Sequence, residues 1–279
     1  MKNVILFAGP NGAGKTRLSI KLKEENTLTR VPFNFDLFDN RIYAKCVDNP
    51  YNPAFYEFAK EEQYELFESD IKTAINQNID FYYESNYRES SPTNKADIFK
   101  RNDYTTTLFY IALDSFEKSK ERAIKRHKIE HGIFLSDDDI RLNFVSGLKN
   151  LDKTFEFWDR LVFINNSINI ETKSDITNFD NVIVFRNGKI TYCNSLNILS
   201  EEVQSYLPNI TNELNLFKGN ENYNILIDSK IDKDNLFSYI HQIEKTGEWT
   251  NKELLRNSIV RYPNWETIKT YYKDNYNTF

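Results

Sequence analysis

Residues Gly9-Pro10-Asn11-Gly12-Ala13-Gly14-Lys15-Thr16 fit the pattern G-x-x-x-x-G-K-[ST]. The pattern constrains the fold because it works in one setting: a strand, a tight glycine turn, then the start of a helix. Val4-Ile5-Leu6-Phe7-Ala8 supplies an apolar run suited to a buried strand. Arg17–Lys23 supplies the helix start, with apolar residues at 18, 20 and 22. Glycines let the backbone turn sharply and aim its N–H groups at phosphate oxygens, and the helix N-terminus adds positive potential. In that setting Gly9, Pro10, Asn11, Gly12, Ala13 and Gly14 cradle ATP, Lys15 contacts the β- and γ-phosphates, and the Thr16 hydroxyl holds Mg²⁺.

Beyond the loop, apolar runs alternate with helix-period stretches. Arg30–Phe35 reads as a second strand ending in Asp36, with Pro32 making it an edge strand or marking a strand beginning. Ala54–Ile75 has helical spacing, Ile79–Tyr83 reads as a third strand, and Thr93–Arg101 as a helix. Thr105–Leu113 is the fourth strand. Asp114-x-x-Glu117 and Ser136-x-x-Asp139 resemble capping boxes opening helices to about Lys128 and Lys153. Arg160–Ile164 is the fifth strand. Such alternation predicts a parallel sheet flanked by helices. Val182–Phe185, Asn187-Gly188 and Ile190–Tyr192 then spell a β-hairpin with a type I′ turn. The expected organisation is an α/β P-loop kinase-like core over 1–195 and a mostly helical extension over 196–279. The extension has one strand-like run at Tyr223–Ile227 and an apolar stripe from Trp249 to Tyr272, read as packing rather than a docking module.

Composition excludes several classes. The 279 residues carry 36 basic and 41 acidic side chains, a net charge of −5, which argues against a general nucleic-acid binder. No apolar run approaches the roughly 20 residues of a membrane helix. Met1 leads directly into the first strand, so no signal peptide is expected and a cytoplasmic location follows. Cys46 and Cys193 have no metal spacing and read as incidental thiols.

Phosphoryl transfer needs a base, metal support and cations over the migrating group. In a parallel sheet such groups gather at the carboxyl ends of strands. Asp36 and Glu84 occupy two such ends. Asp36 is the candidate base, and Glu84 binds substrate or orients a metal-bound water. Asp114 also follows an apolar strand, as a Walker B aspartate does, but its capping box favours a helix-cap role. Arg122 and Arg126, four apart, share a helix face. Arg126 and Arg141 flank His131-Gly132 as a lid would, and the arginine fork suits phosphate. A slow regulatory NTPase and a kinase of nucleosides or nucleic-acid ends are the alternative readings.

Taken in order, these pieces resemble the zeta toxin kinases over about residues 1–195. Ala8–Thr16 matches that family's opening loop. Asn34-x-Asp36 matches its N-x-D element, whose aspartate acts as base. Glu84-Ser85-Asn86 resembles its E-T-x element, with Ser85 where threonine is usual. Leu113–Glu117 with Arg122 and Arg126, then His131-Gly132 to Arg141, resembles its arginine-bearing lid, although Ile129-Glu130-His131-Gly132 replaces the usual Gly-Gly-His. Asn165-Asn166-Ser167 resembles its Y-D-N-S element. The resemblance implies an ATP- and Mg²⁺-dependent kinase with Asp36, Lys15, Arg126 and Arg141 catalytic, and Glu84, Ser85, Asn86 and Arg122 binding substrate. It also implies a sugar-nucleotide acceptor, UDP-N-acetylglucosamine, and an antitoxin protein as partner.

Overall fold

A strand inside a sheet needs partners for its backbone N–H and C=O groups on both edges, and β1 (Asn3–Ala8) has them. In the computed structural model, which describes residues 2–24, 27–35, 53–130, 135–167, 181–193 and 198–218, β1 pairs in parallel with β2 (Phe81–Ser85) and with β3 (Thr105–Ala112). β3 pairs in parallel with β4 (Arg160–Asn165). The hairpin strands β5 (Asn181–Arg186) and β6 (Lys189–Cys193) extend the same sheet in antiparallel fashion, giving the order β2-β1-β3-β4-β5-β6. The sheet is therefore mixed, parallel only through β4. The expected turn carries the hairpin: Asn187 and Gly188 both take positive φ, 47° and 75°, as a type I′ turn requires.

Two strand expectations are corrected. The run 30–35 pairs with β2 only at an isolated bridge, Phe33 to Tyr83. Pro32 has no N–H to extend a ladder. The predicted third strand starts two residues late, at Phe81. Asp80 is diverted before it, its carboxylate accepting from the Asn3 N–H at 2.7 Å. The shift brings Glu84 and Ser85 into the strand, opposite Phe7 and Ala8.

The core is aromatic because cross-strand partners are. Phe7 stacks on its partner Phe109 at 5.3 Å, and Tyr110 on its partner Phe163 at 6.1 Å. Helices α1 (Lys15–Glu24), α2 (Pro53–Gln77), α3 (Ser91–Lys100), α4 (Phe116–Glu130) and α5 (Asp137–Thr154) flank the sheet. None of the described helices is long and apolar enough to cross a membrane. Helix α5 begins as expected, the Ser136 hydroxyl accepting from the Asp139 N–H. Helix α4 does not: Ser115, not Asp114, supplies the capping oxygen, to the Lys118 N–H at 3.2 Å. Asp114 is held instead by Asn165, whose Nδ2 donates to it at 2.6 Å.

Beyond the hairpin, α6 (Glu201–Tyr206) and α7 (Pro208–Lys218) share the core through Val203, Leu207, Ile210 and Leu214. Buried Asp152 on α5 accepts from the N–H groups of Asn209 and Ile210 at 2.9 and 3.0 Å, capping α7. Asp36, Cys46, the His131-Gly132 hinge, the Tyr223–Ile227 run and the Trp249–Tyr272 stripe lie outside the described residues.

Candidate active site

The loop between β1 and α1 is held from behind by side chains. Ser119 Oγ donates to the Asn11 carbonyl at 2.7 Å, Asn166 Nδ2 to the Ala13 carbonyl at 2.8 Å, and Asn143 Nδ2 to the Asn11 side-chain oxygen at 2.8 Å. Arg122 crosses the loop, donating to the Asn166 carbonyl at 2.8 Å and reaching the Gly12 carbonyl at 3.5 Å. The Ser119, Asn166 and Arg122 bonds engage the carbonyls of Asn11, Ala13 and Gly12, holding the loop by its acceptor side. Lys15 and Thr16 form the first turn of α1, where the helix field is positive.

Thr16 and Glu84 meet. The register that sets Glu84 opposite Phe7 brings its carboxylate to the base of α1. Thr16 Oγ1 donates to Glu84 Oε2 at 2.9 Å, Asn34 Nδ2 to the same oxygen at 2.9 Å, and Ser19 Oγ to Oε1 at 3.0 Å. Glu84 is 5% exposed. A hydroxyl and a carboxylate oxygen side by side suit a hard cation such as Mg²⁺, which keeps one or two protein ligands and takes the rest from phosphate and water. Among the described residues no cluster of three or more His, Cys, Asp or Glu could hold a metal by itself.

Lys15 Nζ donates to the carbonyls of Gly9 and Pro10 at 2.9 and 3.2 Å and to Asn86 Oδ1 at 2.9 Å. Asn86 therefore lies beside the loop lysine. The turn that presents it is braced. The Ser85 hydroxyl accepts from the Tyr87 N–H at 3.0 Å, and Tyr87 takes a left-handed φ of 61° while fully buried. Its hydroxyl lies 2.9 Å from Thr93 Oγ1 and 2.7 Å from Thr154 Oγ1, and accepts from Trp158 Nε1 at 3.1 Å. Burial pushes the Tyr87 phenol up, against these hydrogen bonds, so it stays neutral. Helix α5 supports the turn and the loop along one face. Asn143 bonds Asn11, Asn150 Nδ2 donates to the Tyr87 carbonyl at 3.1 Å, and Thr154 holds its hydroxyl. Gly147 stands on that face because a Cβ there would lie 2.8 Å from the Asn86 carbonyl oxygen.

A cleft of about 340 Å³ opens from this floor, lined by Lys15, Asn34, Glu84, Ser85 and Asn86, by Tyr64 and Phe67 of α2, and by Asn143 and Asp139 of α5. Burial raises the Tyr83 phenol, which also lines it, well above its ordinary range. The structure brings together the loop, Glu84, Asn86 and Arg122. Ser85 lines the cleft, although its hydroxyl serves the turn. Arg126 is half-buried one turn along α4 from Arg122. Arg141 is not among the gathered residues: it is exposed, its guanidinium 4.0 Å from the Phe116 ring centroid. Two helical positions turn the chain by about 200°, so with Asn143 facing the loop Arg141 faces away. Sequence reasoning missed Ser19, Ser119 and Asn143, single polar residues in helical stretches that nothing local distinguishes. Asn166 stood within a noted element, but its role against Ala13 was not legible.

A glycine loop after β1, one strand in from the β2 edge, a carboxylate from the adjacent strand against its threonine, and a cleft beside both define a P-loop protein of kinase-like fold. The chain belongs to the zeta toxin family, whose model matches residues 1–192. No curated protein matches the sequence. Solved structures similar to it include the following two. A candidate kinase from Chloroflexus aurantiacus J-10-fl is 17% identical over 51% of this chain and 75% of its own, with a TM-score of 0.39. A structure from the PezAT chromosomal toxin–antitoxin system of Streptococcus pneumoniae is 21% identical over 59% of this chain and 68% of its own, with a TM-score of 0.44.

Proposed function

We propose that the protein is a kinase that moves the γ-phosphoryl group of ATP to a hydroxyl of a small metabolite. The proposed acceptor is a sugar nucleotide such as UDP-N-acetylglucosamine. In this reading the protein is the cytoplasmic toxin of a pair completed by an antitoxin protein. The observation that carries the kinase reading is the Thr16–Glu84–Asn34 group at the floor of a cleft that opens beside Lys15. It provides a metal-side carboxylate next to the phosphate loop and room for a second substrate. Family membership supports the acceptor class and the toxin role.

In this reading Gly9–Thr16 binds ATP. Thr16 would hold Mg²⁺ and Glu84 would support it, and the ion would supply positive charge against the phosphates. Asp36, two residues after Asn34, takes the proton of the acceptor hydroxyl. That oxygen bonds to the γ-phosphorus as the bridge to ADP breaks. Arg122, beside the loop, and Arg126 offset charge on the moving phosphoryl group. Arg141, exposed on α5 with its guanidinium over Phe116, stays outside this arrangement.

A regulatory NTPase would use Asp114 as its metal-side carboxylate. Asp114 is engaged instead by Asn165 at 2.6 Å and lies 3.7 Å from Lys118 Nζ. Glu84 already occupies the place beside Thr16, which favours the kinase. The test is to incubate the protein with γ-labelled ATP and a panel of sugar nucleotides and to identify products by mass. A phosphorylated sugar nucleotide is expected. Accumulation of free phosphate with no labelled metabolite sinks the kinase reading.

A further inference from the structure

Among the side chains lining the cleft, Asn143 is unusual in how its amide is used. It is 4% exposed and sits on α5 between buried apolar neighbours Ile140, Phe144 and Leu148. Its Nδ2 donates to Asn11 Oδ1, itself on a residue 2% exposed. Its Oδ1 has no hydrogen-bond partner among the described residues. A buried carbonyl left without a donor is unfavourable, and such orphans in native proteins call for an explanation. An apolar residue at 143 would fill the helix face without that penalty, so the amide is poorly explained by packing alone.

The chemistry of the orphan narrows what could meet it. An amide oxygen accepts and cannot donate. The phosphate oxygens of ATP are acceptors too, so they are the wrong partner. A hydroxyl or an amide N–H is the right one, and an acceptor substrate carries such groups. A site built to hydrogen-bond a donor rejects analogues lacking it, because its own buried group is then left unpaired. We infer that Asn143 is a specificity-determining residue for the second substrate, its Oδ1 accepting from a hydroxyl or amide N–H of that molecule. Its Nδ2 bond to Asn11 ties that recognition to the phosphate loop. The inference rests on the kinase reading above.

The test uses γ-labelled ATP with two acceptor probes, the small-molecule fraction of a bacterial extract and pure UDP-N-acetylglucosamine. Wild type is compared with Asn143→Leu, which fills the space without an acceptor, and Asn143→Asp. In the aspartate variant Asn11 can turn its amide to donate to one carboxylate oxygen, leaving the other as an acceptor. Asn143→Leu should raise the acceptor concentration for half-maximal labelling by about 10- to 100-fold. Affinity for a non-hydrolysable ATP analogue, measured by calorimetry, should fall by clearly less than the acceptor requirement rises, the fall reflecting only the lost brace on Asn11. Asn143→Asp should restore the acceptor requirement to near wild type.

Three outcomes overturn the inference: no change in acceptor requirement with Asn143→Leu, an equal fall in nucleotide affinity, or an aspartate variant that behaves like leucine. An equal fall in nucleotide affinity would assign the residue to the loop instead. If wild type labels the extract but not UDP-N-acetylglucosamine, the named acceptor is wrong and Asn143 is judged on the extract. If wild type labels nothing, the kinase reading fails and this inference fails with it.

Discussion

Replacing Glu84 by glutamine separates the charge of that side chain from its place in the hydrogen-bond network. The carboxylate is buried and accepts from Thr16, Asn34 and Ser19. A glutamine oxygen at the Oε2 position can still accept from Thr16 and Asn34. Its NH₂ group at the Oε1 position can donate to Ser19 Oγ, and that hydroxyl can keep its bond to the Thr16 carbonyl at 3.0 Å. Every polar group retains a partner, so the stability change should stay within about 1 kcal/mol. Removing a buried charge even offsets part of the loss. In the proposed site the metal side changes far more, because the negative charge that would support Mg²⁺ is gone. Loss of one fixed electrostatic contact in an active site costs about 3–4 kcal/mol of transition-state stabilisation, roughly 10²- to 10³-fold in rate. The assay pairs denaturant unfolding with phosphoryl transfer across a Mg²⁺ titration. The expected result is an unchanged unfolding midpoint, a rate down by that factor, and nucleotide binding that no longer strengthens with Mg²⁺. A variant within threefold of wild type at the same Mg²⁺ dependence would refute the metal-side placement.

Four further outcomes are expected. Asp36→Ala should leave binding of an ATP analogue nearly intact and abolish transfer; wild-type turnover would remove Asp36 as the base. Tyr87→Phe deletes one hydroxyl that serves Trp158, Thr93 and Thr154. It should cost about 1–3 kcal/mol in unfolding free energy, and an unchanged midpoint would mean the turn is not held there. Asp152→Ala strips the cap from α7 and should destabilise by about 2–4 kcal/mol; a change too small to measure would show that α7 docks without it. Asp159 sets the pH case. Burial alone would raise its carboxyl, but bonds from the Thr106 backbone, Lys100 and the Thr106 hydroxyl hold it below its ordinary value of 3.8. A carboxyl lowered on folding adds stability that is present above its unfolded value and lost as pH falls through the folded one. Wild type should therefore lose this contribution below about pH 3.8, while Asp159→Asn should be weaker at neutral pH and decline less steeply in acid. Parallel curves for the two proteins would contradict the assignment.

The sequence by itself determined the loop, the order of strands and helices, and the hairpin turn, because each is written in local chemistry. Glycine spacing, apolar period and an Asn-Gly pair act over a few residues, and chain neighbours suffice to express them. It named Glu84 and Asp114 as two strand-end carboxylates and preferred Glu84 only because Asp114 opens a capping-box pattern, a cap that Ser115 supplies instead. The tertiary contacts separate the two carboxylates on other grounds. The parallel register of β1 with β2 sets Glu84 opposite Phe7 and against Thr16, while Asn165 and Lys118 engage Asp114 elsewhere. Arg141 was chosen for its position in the chain, but the rotation of α5 that aims Asn143 at the loop turns Arg141 outward to Phe116. The bonds that shape the loop come from residues 108, 132 and 153 positions away in sequence. No local pattern encodes contacts of that range, and they exist only once sheet register and helix rotation have brought the groups together.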